Sequence, residues 1–216
     1  MRSSLALLAC ACLLTGCGSG PPQPSPATAP PTATASGTAT APATATATAG
    51  LVERLRQGGH VLYIRHTATD TTQDAPSPDL SDPGTQRNLS PAGREQARQI
   101  GQAIRRLRIP IGQVLASPYR RTRETAELAF GRAQEIRDLI NEIYPGADDE
   151  ELARALRRLL SRRPAAGTNT VLVSHGFNLS RATGLSTAEG DTVVFSPGTM
   201  EPVATIGADE WRSLKE

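Results

Sequence analysis

Cysteine is missing from almost the whole chain. The three that occur, Cys10, Cys12 and Cys17, lie within the first seventeen of 216 residues. The rest can form no disulfide of its own and no cysteine-ligated metal site. Charge is missing too, but only at the start: Arg2 is the single charged residue up to Gly50. Lysine occurs once, at Lys215, and arginine replaces it everywhere else; base composition of the genome accounts for that. The net charge of +2 gives no electrostatic reason to expect a nucleic-acid partner. No apolar run is long enough to cross a bilayer, which takes about 20 residues. The longest, SLALLACACLLTG at 4–16, has about a dozen and suits the core of an export signal.

That run ends in Leu14-Thr15-Gly16-Cys17. It resembles the bacterial lipoprotein signal, in which cleavage falls just before a cysteine that then receives lipid. Leu7-Leu8-Ala9-Cys10 is a poorer second match, because its apolar core would be too short. The expectation is a signal peptide over 1–16 and a lipidated Cys17, with an ordinary secretory signal as the alternative. Residues 17–50 then read as a Pro-rich and later Ala-Thr-repetitive linker. It carries no charge and no large apolar side chain, so it cannot offset its own ordering entropy. It is expected to be a disordered spacer that holds a folded domain, residues 51–216, off a membrane. The localisation implied is the cell envelope, with the lipid bilayer as a partner through the anchor.

Within the domain the pattern alternates. Leu51–Gln57 reads as a short helix stopped by Gly58-Gly59. Val61–Ile64 is a buried strand with His66 just past its end. Residues 67–88 form a long Pro-rich loop. Ser90-Pro91 opens a helix carried by Ile100, Ile104 and Leu107. Gln113–Ala116 is a strand, Tyr119–Phe130 a helix, and Glu135–Leu139 a short strand. Asp148 with Glu151 forms a capping box before a helix whose inward stripe is Leu152, Leu156, Leu159 and Leu160. Thr170–Val173, Val193–Phe195 and Val203–Ile206 are strands. The fold class predicted is α/β, a three-layer α/β/α sandwich with a mostly parallel central sheet. Ligands bind such sheets at the carboxyl ends of their strands. Arg65-His66, Ser117-Pro118 and Ser174-His175 all fall there.

Two histidines and several arginines thus converge. A guanidinium fork suits phosphate oxygens. A neutral imidazole can attack phosphorus. The pattern points to phosphoryl transfer through a phosphohistidine.

Four segments in order resemble the histidine phosphatase superfamily, whose fold is phosphoglycerate mutase-like. Arg65-His66-Thr67-Ala68-Thr69 resembles its Arg-His-Gly-x-Thr signature. Asn88-Leu89-Ser90-Pro91-Ala92-Gly93-Arg94-Glu95-Gln96-Ala97 resembles its Leu-Thr-x-x-Gly-x-x-Gln-Ala helix start. Ser117-Pro118-Tyr119-Arg120-Arg121-Thr122-Arg123-Glu124-Thr125-Ala126 resembles its Ser-Pro-x-x-Arg-x-x-x-Thr-Ala segment. Val171-Leu172-Val173-Ser174-His175-Gly176 resembles the strand that carries its second histidine. The likeness implies His66 as nucleophile, Arg65 and Arg121 as clamps on the phosphoryl oxygens, and His175 completing the pocket. It implies Thr69 as a support for the loop or the phosphate. Glu142, in Leu139-Ile140-Asn141-Glu142, is the first choice for the general acid that protonates the leaving oxygen; Asp148 and Asp149 are its rivals. Arg120 and Arg123 read as a solvated helix face, and His60 as structural. Thr67 stands where the family usually has glycine or alanine, adding bulk and a hydroxyl beside the nucleophile. The short stretch between Arg121 and His175 leaves little chain for a lid.

The expected activity is phosphomonoester hydrolysis on a small phosphorylated substrate, with no cofactor and no metal. Two alternatives remain open: a phosphate- or phosphoglycan-binding envelope lipoprotein without turnover, and a phosphatase of phosphohistidine proteins. A purely structural envelope protein is the weakest reading, since it would have no use for the pocket.

Overall fold

The computed structural model describes residues 43–141 and 144–215, the side chains of 43–49 excepted. The signal segment, Cys17, the linker up to residue 42, and Glu142 lie outside the described residues.

Six strands form one sheet in the order β3-β2-β4-β1-β5-β6. They are β1 Val61–Arg65, β2 Ile111–Ala116, β3 Gln134–Glu135, β4 Asn169–Ser174, β5 Thr192–Phe195 and β6 Pro202–Ile206. The first four pair in parallel; β5 and β6 add an antiparallel edge. Side chains alternate across a strand, and here both faces are apolar. Leu62, Ile64, Val114, Ala116, Val171, Val173 and Val194 point to one face. There they meet Leu51, Val52 and Leu55 of α1 (Ala43–Gln57) and Ile100, Ile104 and Leu107 of α2 (Pro91–Arg106). Ala126 of α3 (Arg120–Phe130) and Trp211 join the same cluster. Val61, Tyr63, Leu115, Leu172, Val193 and Phe195 point to the other face. They meet Ala153, Leu156 and Leu160 of α4 (Asp149–Ser161) and Leu179 and Ala182 of α5 (Gly176–Thr183). This is the three-layer sandwich, with two cores separated by the sheet.

Local chemistry sets the helix starts as the sequence predicts. Ser90 caps α2, its Oγ accepting from Gly93 N at 3.0 Å with Pro91 next in line. Asp148 caps α4, accepting from Glu151 N at 2.8 Å. Gly131 ends α3 in the left-handed conformation, φ 72°.

Three expectations are corrected, and one helix is new. The helix expected from Leu51 begins at Ala43, so the last eight residues of the expected 17–50 linker are helical. The buried side chains of Leu51, Val52 and Leu55 fix the nucleus by packing, which offsets the cost of extending the helix back through the threonines and Gly50. The strand expected over Glu135–Leu139 is only Gln134–Glu135, followed by a 3-10 turn over Arg137–Leu139. That turn drives Leu139 into the core, and its carbonyl accepts from Ser174 Oγ at 2.9 Å. On α4 the buried positions are Ala153, Ala155, Leu156 and Leu160; Leu152 and Leu159 sit at the margin. Helix α5, which follows His175 at once, has no counterpart in the sequence reading.

Candidate active site

Strand register brings the two histidines together. Arg65 at the end of β1 pairs with Ser174 at the end of β4, so the next residues, His66 and His175, leave the sheet side by side. The ladder runs on one step: His66 N donates to Ser174 O at 3.0 Å, and Ser117 N to Val173 O at 3.0 Å. Both histidines are 2 % exposed, with ring centroids 5.6 Å apart. A cavity of about 400 Å³ opens over them, lined among others by Arg65, Asp74, Arg87, Asn141 and Phe177.

Each ring is fixed differently. His66 Nδ1 lies 3.0 Å from Thr67 O. A carbonyl only accepts, so Nδ1 carries the proton and Nε2 keeps its lone pair. No hydrogen bond engages that Nε2 among the described residues. Burial first, and then the Arg121 charge, push the His66 pKa down to about 3. The ring is therefore neutral and nucleophilic at ordinary pH. His175 binds through its other nitrogen: Nε2 is 2.9 Å from Ser117 Oγ. Its Nδ1 is buried without a partner. Burial and the Arg121 charge depress its pKa well below 6.5. If Ser117 donates to Nε2, the one proton of this neutral ring sits on Nδ1.

Arg121, in the first turn of α3, is fully buried. Its Nη1 donates to Asp74 Oδ1 at 2.9 Å, and its guanidinium stacks 4.4 Å from the Tyr119 ring centroid. Its Nε and Nη2 are buried without partners, as is Arg65 Nε. Donors left so are costly unless an anion arrives to take them. Burial lowers the pKa of Arg121, and Asp74 opposes that shift. Arg65 donates from Nη1 to Thr187 O at 2.6 Å. A β-carbon at position 176 would stand 3.1 Å from that Nη1, so any larger residue there would push the guanidinium by a few tenths of an ångström.

The loop after His66 is tied down on two sides. Thr67 N donates to Thr125 Oγ1 at 3.2 Å, and the two hydroxyls lie 3.1 Å apart. Thr125 spends its own proton on Arg121 O at 2.7 Å, so Thr67 is the donor between the hydroxyls. The unusual threonine thus links the loop after His66 to the helix that carries Arg121. On the other side, helix α2 presses on the loop so closely that a β-carbon at Gly93 would meet Ala68 O.

Most of the predicted site residues come together here. Arg65, His66 and His175 line the cavity, and Arg121 lies behind Asp74 and Arg87, donating also to Arg87 O at 3.4 Å. Thr69 does not line it: its N and Oγ1 donate to Glu189 at 3.0 and 2.9 Å. Of the two roles expected for Thr69, the structure supports the one in the loop, because both donors are already engaged. Asp148 caps α4 and Asp149 pairs with Arg181 at 3.0 Å; neither lines the cavity. Glu142 lies outside the described residues, but its neighbour Asn141 lines the cavity. Arg123 pairs with Glu135 at 3.1 Å on the helix exterior, and Arg120 reaches Glu124 at 3.9 Å. His60 bonds the Gly58 carbonyl, away from the cavity.

Three charged groups were missed. Arg87 and Asp74 line the cavity, and Asp74 also accepts from Arg87 N at 2.8 Å. Glu189 Oε1 stands 3.5 Å from Arg87 Nη1, 3.7 Å from Arg65 Nη2 and 3.9 Å from His66 Nδ1. Its backbone is fixed by Gly190 N, which donates to the carbonyls of Arg65 and His66. The signal for Glu189 was topological. β5 runs antiparallel to β1, so its entry lies at the edge where β1 ends.

The two buried histidines and the unpartnered guanidinium nitrogens beside them form a pocket suited to a phosphate group. Residues 61–158 match the model of the histidine phosphatase superfamily, branch 1. No curated protein sequence matches it. Among solved structures it is similar to a protein histidine phosphatase, SixA, complexed with tungstate: 15 % identity, 69 % of this chain and 97 % of the other, TM-score 0.47. A mutant phosphoserine phosphatase from Entamoeba histolytica in complex with phosphoserine is 15 % identical over 66 % of this chain and 93 % of its own, TM-score 0.47. A mycobacterial glucosyl-3-phosphoglycerate phosphatase is 16 % identical over 63 % and 89 %, TM-score 0.47. Likeness at this level says nothing of substrate.

Proposed function

We propose that the protein is a metal-independent phosphomonoester hydrolase that forms a phosphohistidine on His66 and is tethered to the cell envelope through Cys17. The observation that carries the chemistry is the hydrogen bond from His66 Nδ1 to Thr67 O, which frees Nε2 for attack. The Nε2 lone pair bonds to phosphorus as the ester P–O bond breaks. Glu142 gives its proton to the departing oxygen, so no free alkoxide leaves. Arg65, Arg87 and Arg121 hold the equatorial oxygens, and His175 donates to them from Nδ1. Attack makes the His66 ring cationic, and the Glu189 carboxylate beside Nδ1 stabilises that charge. Water then attacks phosphorus, the N–P bond breaks, and the water proton passes to the Glu142 carboxylate. Phosphate leaves and His66 is neutral again.

The test is phosphate release by the full chain, purified in detergent, from a panel of phosphomonoesters with and without EDTA. Release that survives EDTA and falls by on the order of 10⁴-fold in His66→Ala is expected. Retained turnover by that variant contradicts the assignment, and binding without release by the wild type favours a binding module. For the tether, Cys17→Ala abolishes palmitate labelling in cells; unchanged labelling removes the anchor.

A further inference from the structure

Among the described residues, Phe177 is the one large apolar side chain left exposed, at 63 %. It lines the cavity over the two histidines. It sits two residues after His175, in the first turn of α5. Ser180, three residues on and therefore its neighbour on the same helix face, lines the cavity as well. So do Ser186, Thr187, Gln73 and Asn141. The charged lining groups, Arg65, Asp74 and Arg87, are all tied to the phosphoryl end: Arg65 and Arg87 face Glu189, and Asp74 holds Arg121. The remaining wall offers one aromatic face and neutral hydrogen-bonding groups.

We infer that this wall is a leaving-group subsite, and that the substrates are phosphomonoesters of flat, uncharged, ring-bearing alcohols whose ring stacks on Phe177. The inference rests on the hydrolase reading and deepens it. An aromatic face beside a cavity of about 400 Å³ suits a ring with polar substituents, which Ser180 and Ser186 can meet at its edge. An anionic leaving group, such as a second phosphate, would find no cation beyond the phosphoryl end among the described lining residues.

The experiment compares kcat/KM for phenyl phosphate and glycerol 2-phosphate in wild type, Phe177→Ala and Phe177→Trp. Phe177→Ala should lower the phenyl phosphate value about 3- to 10-fold and leave glycerol 2-phosphate within about twofold. Phe177→Trp should keep the wild-type preference. Equal falls on both esters, or no change on either, overturn the subsite. Calorimetry with phenylphosphonate and methylphosphonate, which no hydrolase cleaves, separates the two claims. Tighter phenylphosphonate binding that Phe177→Ala erases supports the subsite even if no ester is turned over, in which case only the hydrolase reading falls. Equal binding of the two phosphonates, or binding of neither, overturns the subsite whatever the turnover.

Discussion

The ends of β1 and β4 are neighbours in the sheet, and each releases a histidine that is 2 % exposed. Burial and the same Arg121 charge keep both rings neutral. Yet the β1 ring is held by its Nδ1 against a backbone carbonyl, while the β4 ring is held by its Nε2 against the Ser117 hydroxyl. A carbonyl admits one tautomer and leaves a lone pair on the far nitrogen. A hydroxyl can donate, and then the far nitrogen bears a proton. Equivalent positions in the fold thus leave a free lone pair on one ring and, where the Ser117 hydroxyl donates, a free N–H on the next. Burial alone does not separate the roles; the partner atom does.

The sharpest way to break this comparison is to truncate each ring in turn. His66→Asn should abolish turnover and all covalent labelling. His175→Asn should lower kcat about 10²- to 10³-fold, as loss of one preorganised donor does, and still accept phosphate on His66. Equal, complete loss of labelling in both would make the rings interchangeable. Glu189→Gln comes next in size. Removing a carboxylate 3.9 Å from His66 Nδ1 should lower kcat tens of fold. It should also tighten inhibition by inorganic phosphate, because Arg65 and Arg87 lose a competing anion. A variant that weakens both would show Glu189 to be structural only. Thr67→Ala is the smallest. It removes the hydroxyl bond to Thr125 but keeps the carbonyl that orients His66. Chemical denaturation should show a loss of about 1 kcal/mol, with kcat changed less than about fivefold. A loss of activity as large as that of His175→Asn would mean the threonine does more than hold the loop.

Much of this was legible in the chain. The short apolar runs of β1, β2 and β4 and the caps at Ser90 and Asp148 depend on neighbours in sequence, and the structure keeps them. His66, His175, Arg65 and Arg121 were found because each stands at a strand end or in a helix's first turn inside a matched segment. Helix α5 was not, since its eight residues are too few to display a period. Arg87, Asp74 and Glu189 were missed for another reason. They reach the site through an irregular loop and through the antiparallel entry to β5, and pairing across long sequence separations leaves no local mark. Thr67 was noticed as an exception, but its partner Thr125 is 58 residues away.

The most direct test of the central claim is to trap the intermediate. The full chain in detergent would be mixed with a ³²P-labelled aryl phosphate, quenched within the first turnover, and digested to locate the label. The account predicts an acid-labile, alkali-stable phosphoryl group on His66, attached at Nε2 and absent from His66→Asn. Label on His175, an acid-stable phosphoester, or rapid turnover with no labelled enzyme at any time would contradict it.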